Sequence, residues 1–483
     1  MTYPLSSKLK GIIRVSFSNV LSLAVSLITS FVLPIFISVE DYGYWQLFVL
    51  YAGYVGFFAF GFNDGVHLNY ATNSYNSETA SKFRTFKNLL LVISSFETVT
   101  LLFFLVVFFG PNYGKFYTLL FTILNIIPVL INGLFTYMNQ ATMRFKQYAW
   151  GNMLDKVVFA ILMLILLSLG FKSYIYYVAA YTISRYLVII YHFFSSHLVF
   201  SEKASTIKEL KPEIIHNFTS GFALMVATIL NSSIIVGSRL LIENRFGIVE
   251  FGAFSFAFHT LVLASQFITA IASVFYPIMK RCNSNELENA YKVFDKASSL
   301  FVIVLLASYY FAAIIISIVY KKYVSILDYY MFVYPLFIFE CKSNLLIINY
   351  YKVVEKPVSL VIRNAMGIGL HLAFVFLAYW LFKSVYSISI AVLVSYCIWY
   401  YFSQLIIYHE AQWKITASMC LDIVITLFFL LINLLIKAVY VGNTIPSLLI
   451  GLTIYILLFF LVTVFFKTQI RKTLQQTQLL LKD

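Results

Sequence analysis

The sequence predicts an all-α, polytopic membrane protein of about fourteen transmembrane helices, arranged as two six-helix lobes followed by two additional helices. Three observations predict it. Hydrophobic residues make up 61% of the 483 positions and charged residues 11%, more apolar sequence than a soluble core of this length can use. Apolar stretches of about 18–25 residues recur along the whole chain, and about 20 helical residues cross a hydrocarbon layer of about 30 Å. Lysine and arginine gather in alternate connections, as they do in a chain that crosses many times. A transmembrane β-barrel would show runs of about ten alternating residues instead.

The first apolar run, residues 12–37, follows the basic start Lys8, Lys10 and Arg14. It is long and lacks a small-residue cleavage site before the next run, so it reads as a first transmembrane helix and not a removable signal. Runs at 44–68, 88–109, 117–138, 153–170 and 175–200 complete a first lobe over residues 1–210. Those at 218–240, 253–278, 297–320, 331–351, 361–382 and 387–408 make a second over residues 211–416. The last two, 418–440 and 447–466, fall in residues 417–483 with a C-terminal tail. Connections on one side hold fifteen basic residues, among them Lys82, Arg84, Arg144, Lys208, Lys280 and Lys352. The other side holds six: Lys115, Lys172, Arg245, Lys321, Lys322 and Lys383. The positive-inside rule makes the richer side cytoplasmic, and an even number of spans then puts both ends there. No connection exceeds about 20 residues, so no separate soluble domain is expected.

The net charge of +14 needs no nucleic-acid partner, because the basic residues are spread through short loops that face anionic lipid headgroups. Tyr42, Tyr44, Trp45, Tyr113, Tyr174 and Tyr329 lie near span ends, where an aromatic belt forms. The four cysteines, Cys282, Cys341, Cys397 and Cys420, are scattered without a C-x-x-C pair or a histidine at ligand spacing. Neither a metal site, a cofactor nor a disulfide framework is expected from them.

An echo links the two halves. Val39-Glu40-Asp41-Tyr42-Gly43-Tyr44-Trp45 follows the first run, and Val249-Glu250-Phe251-Gly252-Ala253-Phe254 follows the seventh, about 209 residues later. Each glycine is expected in a tight outside turn at positive φ. Six spans repeated, then two more, is a transporter plan with a central cavity between lobes.

Residues 31–67, FVLPIFISVEDYGYWQLFVLYAGYVGFFAFGFNDGVH, resemble the opening of the Wzx-type O-antigen and polysaccharide repeat-unit flippases, within the multidrug/oligosaccharidyl-lipid/polysaccharide exporter superfamily. The resemblance rests on Pro34 late in the first helix, the turn Glu40 to Trp45, and the ending Phe60-Gly61-Phe62-Asn63-Asp64-Gly65. It implies translocation of an undecaprenyl-diphosphate-linked oligosaccharide from the cytoplasmic to the outer leaflet of the bacterial plasma membrane. It also implies work beside a polysaccharide polymerase and a chain-length regulator. Such a carrier requires a cavity for the sugars, a side opening for the lipid tail and cations for the diphosphate.

Ionisable residues at membrane depth are the places to look for those groups. In the family's arrangement, Arg14 at the start of helix one and Asn63 and Asp64 at the end of helix two line an inward mouth. Their plainer readings are a snorkelling anchor and a helix cap. Arg239 near the outer end of helix seven, and His259 in helix eight, are candidates for the anionic group. Asn231 and Gln266, near mid-depth of the same helices, suit sugar hydroxyls or interhelical hydrogen bonds. Glu97 and Arg185 fall near the bilayer midplane at about 1.5 Å per residue, opposite in charge and matched in depth. They are expected to pair within the first lobe; the alternative sets Arg185 facing the cavity. Glu340 and Lys342 in helix ten are read as an ion-coupling carboxylate or an ion pair.

No G-x-x-x-x-G-K-[ST] loop occurs, so direct ATP hydrolysis is not expected. A polytopic glycosyltransferase or polymerase would need acidic catalytic groups at the membrane surface and a sizeable outer loop. The acidic motif Glu286-x-Glu288 sits in a short cytoplasmic connection, which favours a carrier over an enzyme. A multidrug exporter of the same superfamily is the other transport reading.

Overall fold

The computed structural model of the protein describes residues 5–465 other than 72, 112, 262–278, 281, 355, 415–420 and 440–444. Gln266 and Cys420 lie outside the described residues, as do the side chains of Arg14 and Asn231. The described residues form helices and turns, with no strand among them. By packing, the chain divides into two compact units, Met1–Ile229 and Leu230–Asp483.

The first unit opens with α1 (Leu5–Phe36), which carries Pro34. Helix α2 (Val39–Tyr54) starts at Ser38, whose hydroxyl accepts from the Asp41 backbone N–H at 3.0 Å. A 3₁₀ segment, Val55–Ala59, leads into α3 (Phe62–Asn69). There follow α4 (Ser77–Phe108), α5 (Phe116–Leu124), α6 (Ile126–Ala141), α7 (Phe145–Ser168), α8 (Tyr174–Ser195) and the short α9 (His197–Ser201). The unit ends within α10 (Ile207–Phe246). Helix α6 packs on α3, α4, α7 and α8, and the apolar centre it closes includes Phe62, Phe83, Phe86 and Phe135. Helix α1 lies along α7, tied by Ser18 donating to the Ala149 carbonyl at 2.8 Å and Ser22 to that of Asn152 at 3.3 Å. Small polar residues serve this way where hydrocarbon offers no hydrophobic drive between helices.

The second unit holds the rest of α10, then α11 (Ile248–Leu261) and α12 (Ser284–Val319). A 3₁₀ turn, Lys321–Ile326, precedes α13 (Leu327–Val333), and α14 (Leu336–Lys342) runs through a π turn, Ser343–Ile347, into α15 (Ile348–Val353). Helices α16 (Pro357–Phe382), α17 (Val385–Glu410), α18 (Leu421–Val439) and α19 (Ile445–Phe465) complete it. Its centre is aromatic: Tyr309 stacks on Tyr330 at 5.3 Å, and Phe429 of α18 meets Tyr309 edge-on. The Tyr330 hydroxyl finds Thr260 at 2.7 Å, satisfying a buried polar tip.

Among the described residues eight helices are long and apolar enough to cross a membrane, or ten if each of two bent pairs counts as one span. Three apolar helices, Ile248–Leu261, Leu305–Val319 and Ile445–Leu457, are shorter among the described residues, and α8 carries Arg185 and His192. The protein is thus a multi-pass membrane protein of all-α class. Burial ranks the spans: about half of the most apolar stretch is buried in Phe116–Ala141 and in Val385–Glu410, against 22% in α4, which turns Phe96, Phe103 and Phe108 outward. These outward faces are what lipid requires of a helix.

The acid-aromatic-glycine motif is not a left-handed turn. Gly43 is buried inside α2 and Gly252 inside α11. Positive φ occurs instead at Gly61, Gly170 and Gly247 among the described glycines. The reason is local: Ser38 with Glu40 and Asp41 forms an N-cap and an acidic first turn, which begin a helix. Asp41 also accepts from the Tyr174 backbone N–H at 3.0 Å, Tyr44 stacks on Tyr174 at 4.9 Å, and Trp45 stacks on Phe159 at 5.3 Å. The motif fastens α2 to α7 and α8.

Helix α3 meets the first-unit part of α10 backbone to backbone. A Cβ on Gly65 would fall 1.9 Å from the Asn217 carbonyl oxygen, and one on Gly221 would fall 1.9 Å from that of Gly61. Gly65→Ala is expected to cost at least about 1–3 kcal/mol, since backbone must move to admit it. Gly53→Ala, with nothing within 4 Å of the added carbon, is expected to be neutral or stabilising. Melting temperatures of the two purified variants check this.

Candidate functional site

Broken spans at membrane depth point to where a carrier binds. In the first unit the break is made by Phe60 and Gly61, both left-handed at φ 48° and 79°, and α3 leaves the axis of α2 by 60°. Glycine takes this conformation at little cost; phenylalanine does not. The break sets Asp64 in the first turn of α3. Its carboxylate accepts from the Tyr137 hydroxyl at 3.2 Å, and His67, a turn later, stacks on the Tyr137 ring at 5.1 Å. Asn63 turns the other way: it is buried and donates to the Leu130 carbonyl of α6 at 3.0 Å. The polar strip continues from Asp64 through Asn69, which donates to Asn217 at 2.7 Å and Ser220 at 3.2 Å. It ends at Glu213, which takes hydrogen bonds from Tyr70 and from Lys82 at 2.9 Å.

Glu97 and Arg185 do not pair. Arg185 donates to the Tyr181 hydroxyl at 2.5 Å and lies over that ring, and Asp155 of α7 is the carboxylate whose field it feels. Helix α4 packs on α5, α6 and α9, whereas α8 packs on α2, α5, α6, α7 and α9. The α5–α6 pair therefore stands between two residues matched only in depth. One oxygen of Glu97 is buried with no hydrogen-bond partner. Sequence reading also passed over Asn125, Asn132 and Asn139, one every seven residues from the N-cap of α6 to its last turn. Asn125 donates to Thr182 at 2.7 Å and Asn132 to the Arg185 carbonyl at 2.9 Å. That period was the available signal.

In the second unit the structure brings Arg239 and His259 together. Arg239 donates to Ser255 of α11 at 3.0 Å and lies over Phe251, and its charge acts on His259 one turn beyond Ser255. Lys342, by contrast, does not pair with Glu340. Residues two apart on a helix face different sides, and Lys342 instead donates to Asp295 of α12 at 2.7 Å, Ser299 at 2.7 Å, and Asp422 of α18. All of these side chains are buried. Glu340 has no ion pair among the described residues. No group of three or more His, Cys, Asp or Glu residues that could hold a metal ion occurs among the described residues.

The family model described as polysaccharide biosynthesis protein matches residues 8–283. The chain belongs to that family. Its fold is that of a lipid II flippase, MurJ, in an inward closed conformation, with a TM-score of 0.65 at 15% identity over 96% of this chain and 100% of that one. It is also that of a MATE family multidrug resistance transporter of the MOP superfamily. The inward-facing form gives 0.62 at 14% identity over 83% and 99% of the two chains, and the outward-facing form 0.58 at 13% over 84% and 96%. No curated protein matches the sequence. This member of the polysaccharide biosynthesis family thus has transporters and flippases, not enzymes, for structural neighbours.

Three substitutions test the electrostatics of this family member. Glu97→Gln and Arg185→Leu are expected to be additive in stability within about 0.5 kcal/mol, as residues without shared partners are; a double-mutant cycle measures it. Lys342→Met is expected to lose about 3–5 kcal/mol by leaving buried carboxylates unpaired, read as lost melting temperature or lost monodisperse protein.

Proposed function

We propose that the protein is a Wzx-type flippase. It carries an undecaprenyl-diphosphate-linked oligosaccharide repeat unit from the cytoplasmic to the outer leaflet of the bacterial plasma membrane by alternating access, during O-antigen or surface polysaccharide synthesis. Both chain ends are cytoplasmic in this reading, and a polymerase and chain-length regulator take the product onward. The observation that supports it is a conjunction: a polysaccharide biosynthesis family match over residues 8–283 on a fold that MurJ, a lipid II flippase, shares over 96% of the chain. The MATE transporters, at 83–84%, leave more of it uncovered.

In this reading the cationic groups serve the diphosphate: Arg14, Arg185, and Arg239 beside His259. The amides Asn231 and Gln266 and the Asp64–Tyr137–His67 group serve sugar hydroxyls. Hydrogen bonds from charged donors to a phosphate are the strong ones, and a water-poor site strengthens them. A drug exporter of the MATE type is the second reading, favoured by the same fold likeness.

Deleting the gene in its host is expected to abolish the surface polysaccharide and to accumulate undecaprenyl-linked repeat units, measured by gel and by mass spectrometry of extracted lipids. Normal polysaccharide with new drug sensitivity would establish the exporter instead.

A further inference from the structure

Lys342 sits between two carboxylates in the interior of the second unit. Its side chain is 0% exposed, those of Asp295 and Asp422 are 2% and 1%, and the three come from α14, α12 and α18. An ammonium has three N–H donors. Here each has an acceptor: Asp295 Oδ1 at 2.7 Å, Ser299 Oγ at 2.7 Å and Asp422 Oδ2. Ser299 accepts here, and its own proton has the Asp295 backbone carbonyl at 3.0 Å and the Asp422 carboxyl within reach. The donors are saturated, so Lys342 is a fixed cation.

Two carboxylates around one cation leave one negative charge in excess. The other ionisable groups that face the triad do not offset it. They are Tyr291 on α12, Cys341 on α14, and Cys397 and Tyr400 on α17. None of these is a cation. Of the lysines on α12, Lys292 is held by Glu288, and Lys296, adjacent to Asp295, faces another side of the helix. Lys437 of α18 is engaged by Asp328 of α13. The second oxygen of Asp422, Oδ1, is buried and has no hydrogen-bond partner among the described residues. A bare carboxylate oxygen out of water is where negative charge is least supported.

We infer that the Asp295–Lys342–Asp422 cluster binds one proton, carried at Asp422 Oδ1, and that this proton completes the attachment of α18 to the rest of the second unit. A proton fits where a metal cation does not, because the Lys342 ammonium already occupies the space between the carboxylates. Binding forms one O–H bond on Asp422 and neutralises the surplus charge; release leaves the cluster at net −1 and loosens α18 from α12 and α14. This goes beyond the transport reading and does not depend on it.

Infrared difference spectroscopy of the purified protein in lipid at neutral pH tests the inference. Wild type minus Asp422→Asn is expected to show the carbonyl stretch of a protonated carboxyl group. Wild type minus Asp295→Asn is expected to show the same band, since removing either carboxylate removes the surplus. Glu340→Gln and Glu97→Gln leave the Asp422 band in place. Asparagine is the closest neutral replacement for a protonated aspartate, so Asp422→Asn is also expected to melt within about 3 °C of wild type. Absence of the band from wild type, its persistence in both asparagine variants, or failure of Asp422→Asn to fold would each overturn the inference.

Discussion

Within hydrocarbon a polar group has only the rest of the chain to bond to, and most of this structure follows from that constraint. Backbone groups meet it by forming helices. Side chains meet it by turning back on their own helix, as Thr182 does to the Val178 carbonyl and Thr426 to that of Asp422, or by crossing to a neighbour, as Ser18 does to α7. Asp41 does both, closing the start of α2 and the start of α8 with one carboxylate. Lys342 is the limiting case, because an ammonium cannot be left partly satisfied. Its three partners tie α12, α14 and α18 together, beside the aromatic packing of Tyr309 on Phe429.

Helix positions were legible from the sequence because they depend on a quantity summed over about 20 residues, the transfer of apolar surface. Position along a helix also converts directly to an expected height. Azimuth was not legible. Glu97 and Arg185 share a depth, yet the α5–α6 pair separates their helices, and no property of either residue announces it. The same ignorance hid the partners of Lys342. Asp295 lies just before the expected span 297–320, where it reads as a surface charge, but α12 begins at Ser284 and carries it inside. Asp422 lies within the expected span 418–440, and nothing in its spacing names Lys342 as its partner. The glycine motif misled for a related reason. Acid residues before a glycine suit a turn as well as a helix start, and the hydroxyl of Ser38 decides between them.

Solved structures share this fold at identities as low as 13–15%. Such divergence is expected where most positions need only be apolar and of suitable size, since lipid-facing side chains contact nothing that reads their shape. The information that distinguishes one carrier from another therefore concentrates in few polar positions. In this chain those positions fall into separate groups: the α3 strip with Asp64, Tyr137 and Glu213 in the first unit, and Arg239 with His259, and Lys342 with its aspartates, in the second.

Both bent spans run through protein interior. Residues 61–63 are buried at the first break, and residues 329–339 are buried through the second, where the chain bends by 47° about Pro335. Irregular backbone at this depth survives only when protein covers it, because a freed carbonyl exposed to lipid finds no donor. The covering has a consequence for motion. A helix broken inside its unit can change angle without exposing backbone to lipid. Ionisable residues next to such breaks are then positioned to couple charge to angle: Asp64 follows the Phe60–Gly61 break by a few residues, and Lys342 lies between the Pro335 bend and the π turn at Ser343–Ile347. Lys342 is fixed by three acceptors, so whatever moves there moves the aspartates with it or breaks an ion pair. A change in the number of charges on those aspartates is the means by which the chain can make that movement cheap in one state and costly in the other.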